Sequence, residues 1–241
     1  MISLQICAIE AYAISFYQIN LPEECVESCK IFLSAVISIL KSPRRNDLTQ
    51  KMIESCNHSI CILIKRLGVN FIPFAEEVIP GALEDAQASI EITPVGAMDF
   101  TNEGFSFQMQ IPSTNVSGVK QFVNKSEVQS VCKALDIINA AEKAMKNDFY
   151  PYLGPTVEIA RQWLTSQYHI EPIMISSCNI LRSAIFVSIA NESSSVEDLE
   201  LIFDLYLHNI TPLASQKLLE ALLMMIQDTF YSPHFKDLNE I

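Results

Sequence analysis

Cys56, His58 and Cys61 lie close enough in sequence to suggest a shared zinc ion, since thiolates and an imidazole are its usual ligands. The flanking sequence is helical in pattern, however. Two residues of helix carry His58 roughly to the opposite side from Cys56. Cys25 and Cys29 do share a face at i, i+4, yet no further pair of His or Cys completes four ligands. The histidines His58, His169, His208 and His234 stand apart, three of them near expected helix ends. No G-x-S-x-G, G-x-G-x-x-G or P-loop pattern occurs. The reading is of a protein that is not an enzyme and has no metal site and no cofactor. Most of the seven cysteines (Cys7, Cys25, Cys29, Cys56, Cys61, Cys132, Cys178) fall at apolar positions of helical patterns. There a free thiol acts as a small hydrophobe, and a reducing compartment fits best.

The carboxylates are better placed. Glu76, Glu77, Glu84 and Asp85 follow the aromatic Phe71, and Glu158 follows Phe149 in the same manner, with the single tryptophan, Trp163, one and a half turns further on. Carboxylates pair with Lys or Arg, and an indole covers their aliphatic stems or meets the cation face-on. The net charge of −12 argues against a nucleic-acid partner, which needs clustered Lys and Arg. It permits a basic partner, and it is also an ordinary means of staying soluble.

Helices must position these residues. Only six of 241 residues are glycine, which disfavours folds built on tight turns that need φ > 0. From Pro22, Cys25, Cys29, Phe32, Val36, Ile39 and Leu40 keep to one face. A second helix, capped by Asp47, carries Leu48, Met52, Cys56, Ile60, Leu63, Ile64 and Leu67 and closes at Gly68. A third runs from about Phe71 to Ala88 with a bend at Pro80. Residues 126–147, 149–167, 171–191, 195–209 and 212–231 read as further helices. The stretch from about Glu91 to Asn124 is the exception. Phe105, Phe107, Met109 and Ile111 alternate with Ser106, Gln108 and Gln110, as in a short strand within an insertion.

Three helices open on Asn, an apolar residue and proline: Asn20-Leu21-Pro22, Asn70-Phe71-Ile72-Pro73-Phe74 and Asn147-Asp148-Phe149-Tyr150-Pro151-Tyr152. Proline suits a first helical turn, where its missing N–H costs nothing. The prolines are 51 and 78 residues apart. Without the insertion the second spacing falls to about 44, within the period of HEAT and armadillo units. The expected fold is all-α, an α-α superhelix: a HEAT/ARM-like solenoid of four to five hairpins at about 2–41, 45–91, 126–167 and 171–209, a final helix at 212–231, and an insertion at about 92–124. In such a stack equivalent helices line one surface, so Glu76, Glu77, Glu84, Glu158 and Trp163 share a groove. Residues 2–19 are apolar on every side, interrupted by Glu10 and without a basic leader. They read as a buried helix rather than a membrane span or signal peptide, and as an uncapped end of a longer array.

At these residues the sequence resembles the importin-β (karyopherin-β) family, most closely its importin-β3 branch. The likeness lies in order and spacing over residues 50–190: Leu67-Gly68, Phe71-x-x-Phe74, Val78-Ile79-Pro80-x-x-Leu83, the insertion holding Gly104-Phe105-Ser106-Phe107, and the hairpin from Ser126 to Tyr168. The resemblance implies a nuclear transport receptor without catalytic activity, found in cytoplasm and nucleus. It further implies binding to basic localisation signals of cargo, to Ran GTPase and to phenylalanine–glycine nucleoporins, with neither nucleic acid nor membrane as partner. Glu76, Glu77, Glu84, Glu158 and Trp163 become the cargo contacts by this reading. A HEAT scaffold of another kind, such as a phosphatase or vesicle-coat subunit, fits composition and periodicity equally.

Overall fold

A computed structural model of the chain describes residues 2–17, 24–42, 48–94, 108–111, 121–166, 168–190, 204–205, 207–209 and 215–231. Helices α1 (Ile2–Tyr17), α2 (Glu24–Leu40), α3 (Gln50–Leu67), α4 (Ala75–Ala86), α5 (Lys125–Met145), α6 (Tyr150–Leu164), α7 (Glu171–Ala190) and α8 (Gln216–Tyr231) follow in chain order. They pack as a solenoid. α1, α3, α5, α7 and α8 form one continuous row, each against the next. α4 and α6 lie side by side in a second row, α4 against α5 and α6 against α7, while α2 packs on α3. Residues 204–205 and 207–209 are also helical; the rest of the expected 195–209 helix, and the Asn20-Leu21-Pro22 start, lie outside the described residues.

The ends of the helices follow from their sequences. α3 is capped by Thr49, whose hydroxyl accepts from the Met52 N–H; Asp47, the cap expected from sequence, lies outside the described residues. The capping acceptor must reach a free N–H of the first turn, and Thr49 directly precedes the helix. At its other end Gly68 takes φ 52° and donates its N–H to the Ile64 carbonyl. The chain then tightens into a 3-10 turn, Gly68–Phe74, so the next α-helix starts at Ala75 rather than Phe71. A second 3-10 turn, Lys146–Phe149, leads into α6, with Pro151 in its first turn. The run Gln50–Ala86 holds a window apolar enough to cross a bilayer, but half of that window is buried inside the protein, as a core helix would be.

The internal repeat is visible in the backbone. Gly68 (φ 52°, ψ −130°) and Lys146 (φ 54°, ψ −121°) are 78 residues apart, and each donates its N–H to the carbonyl four residues earlier. Phe71 and Phe149, three residues later, are both 0% exposed. By this offset Asn70 answers to Asp148, one residue from the match made on sequence. The core runs along the interior between the rows, through Leu63, Ile64, Ile79, Leu135, Ile138, Ile159, Leu164 and Ile170.

The insertion forms a sheet rather than one strand. β1 (Ile92–Pro94), β2 (Gln108–Ile111) and β3 (Gln121–Asn124) lie in the order β1-β3-β2, all antiparallel. In backbone register Ile92 pairs with Val123 on one edge of β3, and Met109 pairs with Val123 on the other. The expected strand is present over 108–111; residues 105–107 lie outside the described residues. β3 passes directly into α5, where the Asn124 side chain caps the helix by accepting from the Ser126 N–H at 3.0 Å.

Candidate functional site

α4 and α6 stand at equivalent places in successive repeats and touch along the second row. Each buries a stripe: Val78, Ile79, Ala82 and Ala86 on α4; Thr156, Ile159, Ala160 and Leu164 on α6. The opposite stripes meet solvent. On α4 they bring out Glu76, Glu77 and Glu84; on α6 Glu158. Eight residues of helix separate Glu76 from Glu84, about 12 Å along the axis. The structure thus sets all four carboxylates at the surface of two adjoining helices.

Two of the four are already paired within the chain. Glu77 meets the Lys41 ammonium at 2.9 Å, which joins the end of α2 to the start of α4. Glu158 receives two hydrogen bonds from Arg161, Nε to Oε2 at 3.0 Å and Nη2 to Oε1 at 2.8 Å. That fork holds the Glu158 carboxyl below its ordinary range. Both pairs are solvent-exposed. Exposed pairs contribute little and exchange readily for another cation.

Trp163 is half-buried against the core, and its indole N–H donates to the Ala86 carbonyl at 2.9 Å. Its one donor is therefore engaged inside the chain, and what it offers a partner is ring surface. Asp85, read from sequence with the acidic group, is only partly exposed.

The residues considered first for catalysis are placed otherwise. Cys56 and Cys61 are buried and His58 partly so. Burial pushes the thiols of Cys56 and Cys132 up to about 11 and that of Cys178 to about 12, so they remain protonated and unreactive near neutral pH. His169 and His208, distant in sequence, come within electrostatic reach; burial first, then His208, lowers the His169 pKa. Sequence reasoning missed Glu142, a carboxyl on α5 that is 1% exposed. The helical pattern alone gave no reason to bury it; the residue 78 places earlier, Ile64, gives the reason.

No protein-family model matches the chain, and no characterised protein matches it by sequence. Solved structures do match in fold. That of Kap121p superimposes with a TM-score of 0.66 at 14% identity, over 85% of this chain and 19% of that one. Kap121p bound to RanGTP gives 0.66 at 14% identity, over 86% and 20%. Kap121p bound to Pho4p gives 0.63 at 13% identity, over 95% and 22%. The chain spans about a fifth of the length of these karyopherin structures, and its fold is the helical-repeat solenoid that they share.

Proposed function

We propose that the chain is a segment of a nuclear transport receptor that binds basic localisation signals of cargo across α4 and α6, acting in cytoplasm and nucleus. The observation that carries the reading is the placement of Glu76, Glu77, Glu84 and Glu158 on the solvent stripes of two adjoining, equivalent helices. Kap121p, with the same fold, has been solved bound to RanGTP, to Nup53p and to Pho4p, which supports Ran, nucleoporins and cargo as the kinds of partner. The division into hairpins at about 2–41, 45–91, 126–167 and 171–209 belongs to this reading.

A lysine-rich peptide replaces Lys41 and Arg161 as counter-ions of Glu77 and Glu158, while the Trp163 ring covers lysine stems. Binding is therefore expected to fall with salt. Reversing Glu77 and Glu84 to Lys weakens a lysine-rich signal peptide at least about tenfold at low salt, and Lys41→Ala strengthens it. The measurement is fluorescence anisotropy of the labelled peptide, with and without Ran·GTP. Unchanged affinity in the reversed variant removes α4 from the site; no binding to the peptide, to phenylalanine–glycine repeats or to Ran leaves only a helical-repeat scaffold.

A further inference from the structure

A cavity of about 430 Å³ opens between the C-terminal end of α5, the Lys146–Phe149 turn and the second half of α7. It belongs to the first row of helices and is separate from the acidic stripes. Its charged lining is Lys143 and Lys146, both exposed, Arg182, partly exposed, and Glu142, buried at 1% exposure. Neither carboxyl oxygen of Glu142 has a hydrogen-bond partner among the described residues. Asn147, Asn179 and Phe186 contribute to the same wall, and Phe186 is 47% exposed.

The repeat shows that this lining departs from what the fold requires. Glu142 occupies the position that Ile64 fills one unit earlier, at 0% exposure. Lys146 occupies the position of Gly68 and adopts the same positive φ, which a side chain disfavours. Two residues that go against local stability thus stand in one unit and line one cavity. Strained backbone and buried unpaired polar groups cluster where a ligand is bound.

The chemistry of that ligand follows from the charges. Burial pushes the Glu142 carboxyl well above the ordinary carboxylate range, with Lys143 opposing only in part. The protonated form, which offers an O–H, is favoured by that burial. Lys143 and Lys146 line the same cavity, so a cationic ligand is repelled and an anionic acceptor is attracted. Set in a chain of net charge −12, this local excess of positive charge selects an acidic group at one place while the rest of the surface repels it.

We propose that this cavity binds an acidic side chain of a protein partner, the carboxylate of an Asp or Glu in a peptide segment, with Lys143 and Lys146 as counter-charge, Glu142 as hydrogen-bond partner and Phe186 as an apolar rim. It does not rest on the role assigned to α4 and α6.

The probe is a fluorescein-labelled six-residue peptide of glutamates and leucines, titrated by anisotropy into the full chain at low salt. Lys146→Gly keeps the backbone that the turn requires and removes the ammonium; it is expected to weaken the peptide about tenfold without lowering Tm. Glu142→Ile restores the residue of the preceding unit, and is expected to remove binding while raising Tm. Circular dichroism checks that both variants are folded. The proposal is overturned if the glutamate peptide does not bind, if it binds both folded variants as it binds the native chain, or if inorganic phosphate displaces it at equal concentration.

Discussion

Trp163 donates its indole N–H to the carbonyl oxygen of Ala86 at 2.9 Å, so the last turn of α4 is closed by a side chain of α6. The final carbonyls of a helix have no partner inside it. Here the following unit supplies one, and the bond spans 77 residues of chain. Together with the Lys41–Glu77 contact it ties α2, α4 and α6 along the second row.

Trp163→Phe keeps the ring against the core and removes the donor. We expect a loss of about 1 kcal/mol, the usual net worth of one hydrogen bond. For a chain of this size that lowers Tm by roughly 2–4 °C, read by circular dichroism. An unchanged Tm would mean that the bond adds nothing.

Phe71 and Phe149 are the repeated anchors, both fully buried where a 3-10 turn meets a second-row helix. Either one replaced by Ala should cost about 3–5 kcal/mol in urea unfolding, and replacement by Leu much less. Equal costs of Ala and Leu would show that volume at these turns does not matter.

Gly68 and Lys146 share a backbone geometry that glycine takes without strain. Gly68→Lys should destabilise by about 1 kcal/mol, and Lys146→Gly should stabilise by a similar amount. The space around Gly68 is open, so the cost comes from the backbone and not from a clash. Opposite signs in thermal unfolding check the equivalence of the two turns.

Glu142 makes stability depend on pH. Its folded-state pKa lies above the ordinary 4.5, so its contribution favours folding below that value and is lost as pH rises toward the folded pKa. The other charged groups that line its cavity are Lys143, Lys146 and Arg182. The stability advantage of Glu142→Ile should therefore be largest near neutral pH and narrow as pH falls toward about 4.5. A gap that stays constant, measured by urea midpoints at several pH values, would contradict the burial of an unpaired carboxyl.

The solenoid was legible because 3.6-residue periodicity survives in most of the long helices, α2 to α6 and α8, and because Phe71 and Phe149 mark the repeat. The carboxylates of α4 and α6 were legible for the same reason: helical spacing fixes which side faces water. β1 and β3 were not, since strands of three or four residues are too short to show alternation. Glu142 was hidden because a lone carboxylate in a helical pattern reads as solvent-facing. Trp163 was seen as an aromatic near acidic residues, but no spacing rule reveals that its N–H reaches back to Ala86.

β1 and β3 pair side by side, Ile92 with Val123 and Pro94 with Gln121, so the chain leaves the solenoid and rejoins it at one point. The helices on either side never register how far the excursion travels. Lengthening it costs only slowly growing loop-closure entropy. This junction is a natural graft site: a foreign segment spliced between the paired strands, or a shortening to a tight hairpin, would leave the stacking of α4 on α5 untouched.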